Sequence, residues 1–202
     1  MSDDPASERT RVRYPGRGHY DRATIDAILD EASLCHLAVV QDDGSPLVLP
    51  TLYVRDGDAV YVHGSPASRL MRTGRRAPDV CVTVMLLDSY VMAKSAFKHS
   101  INYRSVTVVG PATEVRNPDE KRRVLALLLD HVHPGRSTEC RPPNDKELAA
   151  TVVLRVGIDE ASAKIRTGGP ADDPADDPAD ASLPFRTGVV PVTTSRGDLV
   201  DS

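Results

Sequence analysis

Apolar positions along this chain fall into β-rich runs, interrupted by a few stretches with helical spacing. Ile25, Ile28, Leu29 and Ala32 stand at i, i+3, i+4 and i+7 and predict a helix that starts at an Asp21 cap. Residues 34–41 read as a strand and Asp42-Asp43-Gly44-Ser45 as a turn. Two further runs, 47–54 and 59–63, flank Arg55-Asp56-Gly57-Asp58, and an Asp-Gly pair between apolar runs is a strong hairpin signal. The second run ends at His63 and empties into Gly64-Ser65-Pro66-Ala67-Ser68-Arg69. There Ser65 is the predicted N-cap and Pro66 the first residue of a short helix.

Residues 80–87 are apolar at nearly every position, as in a strand buried on both faces; β-branched density disfavours a helix. Asp88-Ser89 is a predicted turn with 90–94 returning, and Tyr90 and Met92 are expected in the core. Residues 95–102 form a polar excursion, and 103–115 a long strand bent or ended near Gly110-Pro111. Asn117, Pro118 and Glu120 supply a cap, a first residue and a capping-box partner for a helix to about His131. That helix carries Val124, Leu127, Leu128 and Val132 on one side. A loop over 133–144, a helical turn at 146–150 and a last strand at 151–158 complete the pattern.

Six or seven strands joined by tight turns, with two or three inserted helices, predict a mainly β chain whose antiparallel sheet closes into a barrel. Repeated βαβ crossovers, GxGxxG and a Walker loop are missing, which argues against a Rossmann or P-loop fold. Residues 1–12 are expected to be disordered, 13–168 to form the domain, and 169–202 to be an acidic Pro/Ala/Asp linker with a C-terminal arm.

Charge changes this picture little. The net charge is −4 over 202 residues, but five aspartates lie within 171–180, so the remainder is near +1 (−4 plus 5). Aromatic residues make up 4% and tryptophan is absent, so a basic face with interleaved aromatics is not available for nucleic acid. No run approaches the ~20 apolar residues of a membrane span. Three scattered cysteines without a CxxC pair argue against a disulfide framework or a structural zinc site. A reduced cytoplasmic protein is the expectation.

Candidate chemistry concentrates at the end of the hairpin. Free backbone N–H groups at a helix start, with Ser65, Ser68 and Arg69 beside them, suit a phosphate. His63 is the first candidate for a role in chemistry. His99 sits in the polar excursion with Ser95 and Lys98, where binding residues tend to collect. His131 and His133 lack a third ligand in sequence reach, and Cys35 reads as a small buried apolar residue.

The segments PTLYVRDGDAVYVHGSPASRLMR and CVTVMLLDSYVMAKSAFKHSINYRSVTVVGPATEV together resemble the flavin-nucleotide-binding branch of the pyridoxamine 5′-phosphate oxidase superfamily, in particular its nitroimidazole-resistance (Nim-type) proteins. The resemblance covers about residues 13–168. It implies an antiparallel split β-barrel that forms a homodimer, with a flavin (FMN or FAD) between the subunits. On that resemblance the phosphate turn corresponds to His63, Gly64, Ser65, Ser68 and Arg69. The strand along the ring matches Pro50, Thr51 and Leu52, a second flavin strand Tyr103, Arg104 and Ser105, and a C-terminal segment near the ligand includes Lys164 and Arg166. The oxidases' more basic phosphate site and their C-terminal tryptophan motif are missing, so pyridoxamine phosphate oxidation itself is not implied.

Three functions follow. One is a flavin-dependent oxidoreductase acting on a small aromatic or nitro compound. Another is a flavin carrier or sensor. The third is a haem-binding split barrel with His63 or His99 as axial ligand.

Overall fold

The computed structural model describes Pro5, residues 7–171 and residues 178–200. Within them the strands are β1 (Gly18–His19), β2 (Leu34–Val40), β3 (Pro46–Asp56), β4 (Ala59–Gly64), β5 (Val80–Met92), β6 (Ser100–Gly110), β7 (Ala112–Glu114), β8 (Val152–Gly157), β9 (Ala161–Arg166) and β10 (Gly188–Pro191). The helices are α1 (Arg22–Glu31), α2 (Arg69–Gly74), α3 (Pro118–Val132), α4 (Asp145–Ala149) and α5 (Pro178–Ala181). The strands follow the order β1-β9-β6-β5-β2-β3-β4-β8-β7, with β10 paired to β5. By contacts the chain divides into two compact units. One is Met1–Met85 with Ser105–Lys164, the other Leu86–Arg104 with Ile165–Ser202.

In the larger unit, β3 and β4 form the predicted hairpin, with Asp56 opposite Ala59. The two-residue loop puts Gly57 first at φ 57°, a value that glycine adopts without steric penalty. α1 starts where Asp21 accepts from the Thr24 N–H and buries Ile25, Ile28 and Leu29. α3 begins with Asn117 accepting from the N–H groups of Asp119 and Glu120. Its buried Val124 and Leu128 pack with Val54, Tyr61, Val115 and Val153. Cys35 is fully buried, and desolvation pushes its thiol up to about 12, so it is an inert core residue.

Three expectations give way. The chain straightens through Asp88-Ser89, so β5 is one strand to Met92. Both polar side chains find partners without a turn: Asp88 takes the Arg104 guanidinium at 2.8 Å, and Ser89 accepts from the Asn102 amide at 2.9 Å. Tyr90 is 45% exposed rather than core. The long strand does end at Gly110, as expected, and β7 resumes after Pro111, which has no N–H for a ladder bond. Residues 7–12, placed in a disordered tail, include a 3₁₀ turn at Glu8–Thr10, and Arg9 there bonds to Asp79 and Glu160. The acidic tract at 172–177 lies outside the described residues. Beyond it, in the smaller unit, β10 pairs with the end of β5 in the register Gly188 to Met92 through Pro191 to Ser89.

Candidate functional site

His63 stands at the end of β4 and, with Leu52 of β3, forms one wall of an apolar cavity of about 510 Å³. The opposite wall is the second apolar stripe of α3, carrying Leu125, Leu129 and Val132 beside its core stripe. This explains why the helix is richer in leucine than one buried face requires. The chain after α3 folds over the cavity and contributes His133, Arg136, Cys140 and Arg141, and α4 adds Glu147.

The roof is tied down at both ends. Asp130 accepts from the Ser137 N–H at 2.8 Å and its hydroxyl at 2.6 Å, which holds the turn that carries Arg136. At the far end Arg141 grips Glu147 with two bonds of 2.8 and 2.6 Å. Glu147 also closes the capping box of α4 with Asn144. Arg141 and the Asn144 N–H hold the Glu147 carboxyl at about 2, so the pair is ionised throughout the neutral range.

His63 is the chemically exposed member of this set. Its Nδ1 is buried and has no hydrogen-bond partner. Desolvation lowers the imidazole pKa below its ordinary value, so the ring is neutral at neutral pH. A neutral imidazole that lines an apolar cavity is chemically able to take a metal or accept a proton.

Arg69 lies elsewhere. It lines a separate polar cavity of about 450 Å³ with Arg72, Thr73, Arg76 and the Gln41-Asp42-Asp43 turn. The predicted cap is also displaced: α2 begins at Arg69, after Ser68. Ser65 instead opens a turn closed by the Ser68 N–H on the Ser65 carbonyl, and its hydroxyl accepts from Ala67. That turn uses donors a helix start would have left free, and only six residues of helix follow. Gly64 is needed where it is, because a Cβ there would come within 2.9 Å of Met71 Cγ.

The remaining candidates disperse. Pro50 is exposed opposite His36, and Thr51 pairs with Cys35. Ser105 donates to the Lys164 carbonyl, and both line a polar cavity of about 240 Å³ with Arg9, Arg11 and Arg13. In the smaller unit Ser95 caps a 3₁₀ turn that includes Lys98, and exposed His99 contacts the Ser95 carbonyl. Tyr103 is half-buried on β6, Arg104 is paired with Asp88, and Arg166 donates to Asn102. The two neighbouring histidines part company: His131 of α3 bonds to the Ala32 carbonyl at 2.8 Å, while His133, just past the helix, lines the cavity. Among the described residues, no three His, Cys, Asp or Glu side chains form a metal-binding group. None of their helices is long and apolar enough to cross a membrane.

The pyridoxamine 5′-phosphate oxidase family model matches residues 21–165, most of the chain. The chain belongs to that family. The assignment agrees with the fold expected of it, mainly β with inserted helices and of the antiparallel split-barrel type. Among solved family structures, the flavocytochrome Anf3 from Azotobacter vinelandii is 38% identical, with a TM-score of 0.89 over 98% of this chain and 91% of that one. The FAD and heme binding protein from Mycobacterium smegmatis is 35% identical, with a TM-score of 0.84 over 92% and 89%. A candidate 5-nitroimidazole antibiotic resistance protein from Bacteroides thetaiotaomicron shares the fold at 21% identity and a TM-score of 0.62, covering 73% of this chain and 86% of that one. No curated protein gives a significant match.

Sequence reasoning found His63 and Leu52 but missed the rest of the cavity. Its signal was the Leu125, Leu129, Val132 series at i, i+4, i+7, a second stripe on a helix already assigned one. The roof residues have no periodicity, so nothing local marks which face they cover.

Proposed function

We propose that this chain is a flavin- and haem-binding redox protein, with haem in the cavity beside His63. The observation that carries this reading is the neutral imidazole of His63 in the lining of an otherwise apolar slot. An imidazole kept neutral by burial has no proton to lose before it takes iron. The cavity residues fit the group: apolar walls from Leu52 and α3 for the macrocycle, a neutral imidazole, and arginines at the rim. The two relatives at 35–38% identity, described as a flavocytochrome and as an FAD and heme binding protein, support both cofactors here. Haem would supply a one-electron centre, and the flavin a carrier able to pass electrons singly or in pairs. In this reading His63 would hold the iron. His99 is exposed, whereas His63 lines a cavity.

The flavin nucleotide is proposed to lie against β3 at Pro50 to Leu52, with a second copy of the chain covering that face. Supporting this is the outward apolar surface of the β2–β3–β5 region, where Leu34, Val40, Val48 and Met85 are all more than half exposed. A small aromatic or nitro compound is the proposed oxidant for the flavin.

Addition of hemin to the purified protein should give a Soret band that His63→Ala loses and His99→Ala keeps. A band unaffected by His63→Ala would overturn the axial assignment. Bleaching of bound flavin by reduced nicotinamide, followed by reoxidation with a nitroaromatic compound, tests the oxidoreductase activity.

A further inference from the structure

We infer that Arg136 is the residue that recognises a carboxylate on the macrocycle in this cavity, while Arg141 serves as a strut; this rests on the haem reading above. Three charged side chains line the cavity: Arg136, Arg141 and Glu147. Arg141 and Glu147 satisfy each other through the paired bonds of 2.8 and 2.6 Å, so together they bring no net charge. Arg136 has only a loose contact with Glu139 at 3.5 Å, between two groups of 41% and 62% side-chain exposure. That contact is weak by geometry and screened by water. The net positive charge of the rim therefore resides on Arg136.

Position supports the same role. Arg136 follows Gly135, whose φ of 84° turns the chain sharply after α3, and its N–H bonds to the His133 carbonyl. Ser137, the next residue, is tied to Asp130. The turn thus fixes the Arg136 backbone at the mouth of an apolar slot while leaving its guanidinium half-exposed. A ligand with an apolar ring system and carboxylates on one edge matches this arrangement: rings against leucines, acid groups at the wet rim. Planar aromatic compounds without acid groups would fill the same walls and leave Arg136 unused.

The test compares hemin with its dimethyl ester, which has the same ring and iron but no free carboxylates. Soret titrations of the full chain and of Arg136→Gln and Arg136→Lys give the affinities. Arg136→Gln should weaken hemin binding about tenfold, the scale of one charge-assisted contact at a partly exposed site, and leave the ester unchanged. Arg136→Lys should recover part of the loss. Equal weakening for both compounds, or none for either, overturns the role of Arg136 while the haem site stands. No band from the wild-type chain with either compound overturns the haem site and this inference together.

Discussion

The Tyr53 hydroxyl donates to the carbonyl of Leu29, across from β3 to the last turn of α1. Leu29 is one of the helix-end carbonyls that have no partner within the helix, and the bond forms in the buried core. His131 serves the neighbouring Ala32 carbonyl, and its ring lies 5.8 Å from that of Tyr53. Tyr53→Phe keeps the ring but strands a buried acceptor. It should lower unfolding free energy by about 1–3 kcal/mol in urea denaturation. A change within error would mean that water reaches that carbonyl.

Gly64 lies next to His63 with no room for a methyl group, since Met71 stands 2.9 Å from where it would go and is itself buried. Gly64→Ala should cost about 1–3 kcal/mol of stability by overpacking and displace the end of β4. Because that end carries His63, hemin affinity should fall too. Loss of stability without loss of affinity would show that the imidazole position is independent of Gly64.

Hemin binding should depend on pH through His63. Burial depresses its folded-state pKa below the ordinary 6.5, so proton competition with iron sets in later than for an exposed imidazole. Affinity should be flat from pH 8 down to 6.5 and weaken only below. The same shift makes the unfolded chain the better proton binder, so this residue's contribution to stability is complete above 6.5 and declines as pH falls through the folded value. A decline in affinity that begins above pH 7 would contradict the assignment.

The Arg141–Glu147 strut gives a different acid profile. The Glu147 carboxyl is depressed from 4.5 to about 2, so its stabilising contribution is present above the ordinary value and disappears as pH falls towards 2. Glu147→Gln should shift the urea midpoint at pH 7, and the difference from wild type should close by pH 2. A constant difference across that range would mean the carboxylate acts through packing, not charge.

How legible was all this in the residues? Elements with local punctuation were clear: Asp21 before α1, Asn117-Pro118 before α3, and Gly57 in the hairpin each act within four residues. Where a distant partner decided the outcome, local signals misled. Asp88-Ser89 looks like a turn until Arg104 and Asn102 satisfy it. β9 carries little strand signal of its own, because small Ala161 and Ala163 give a weak alternation. At the site, His63 stood out by chemistry, but Arg69 drew the phosphate reading through a cap that the Ser65–Ser68 turn replaces. The cavity roof was invisible for the reason that loops carry side chains without a repeating pattern.

The pairing of β10 with β5 gives the stretch beyond the acidic tract a protective duty. Residues 188–191 shield the backbone of Ser89–Met92, a segment that also presents exposed Tyr90. A chain shortened at Gly168 would leave those amides unpaired, an open strand edge of the kind that pairs with other chains. The four residues of β10 thus close a strand margin as well as extending the chain.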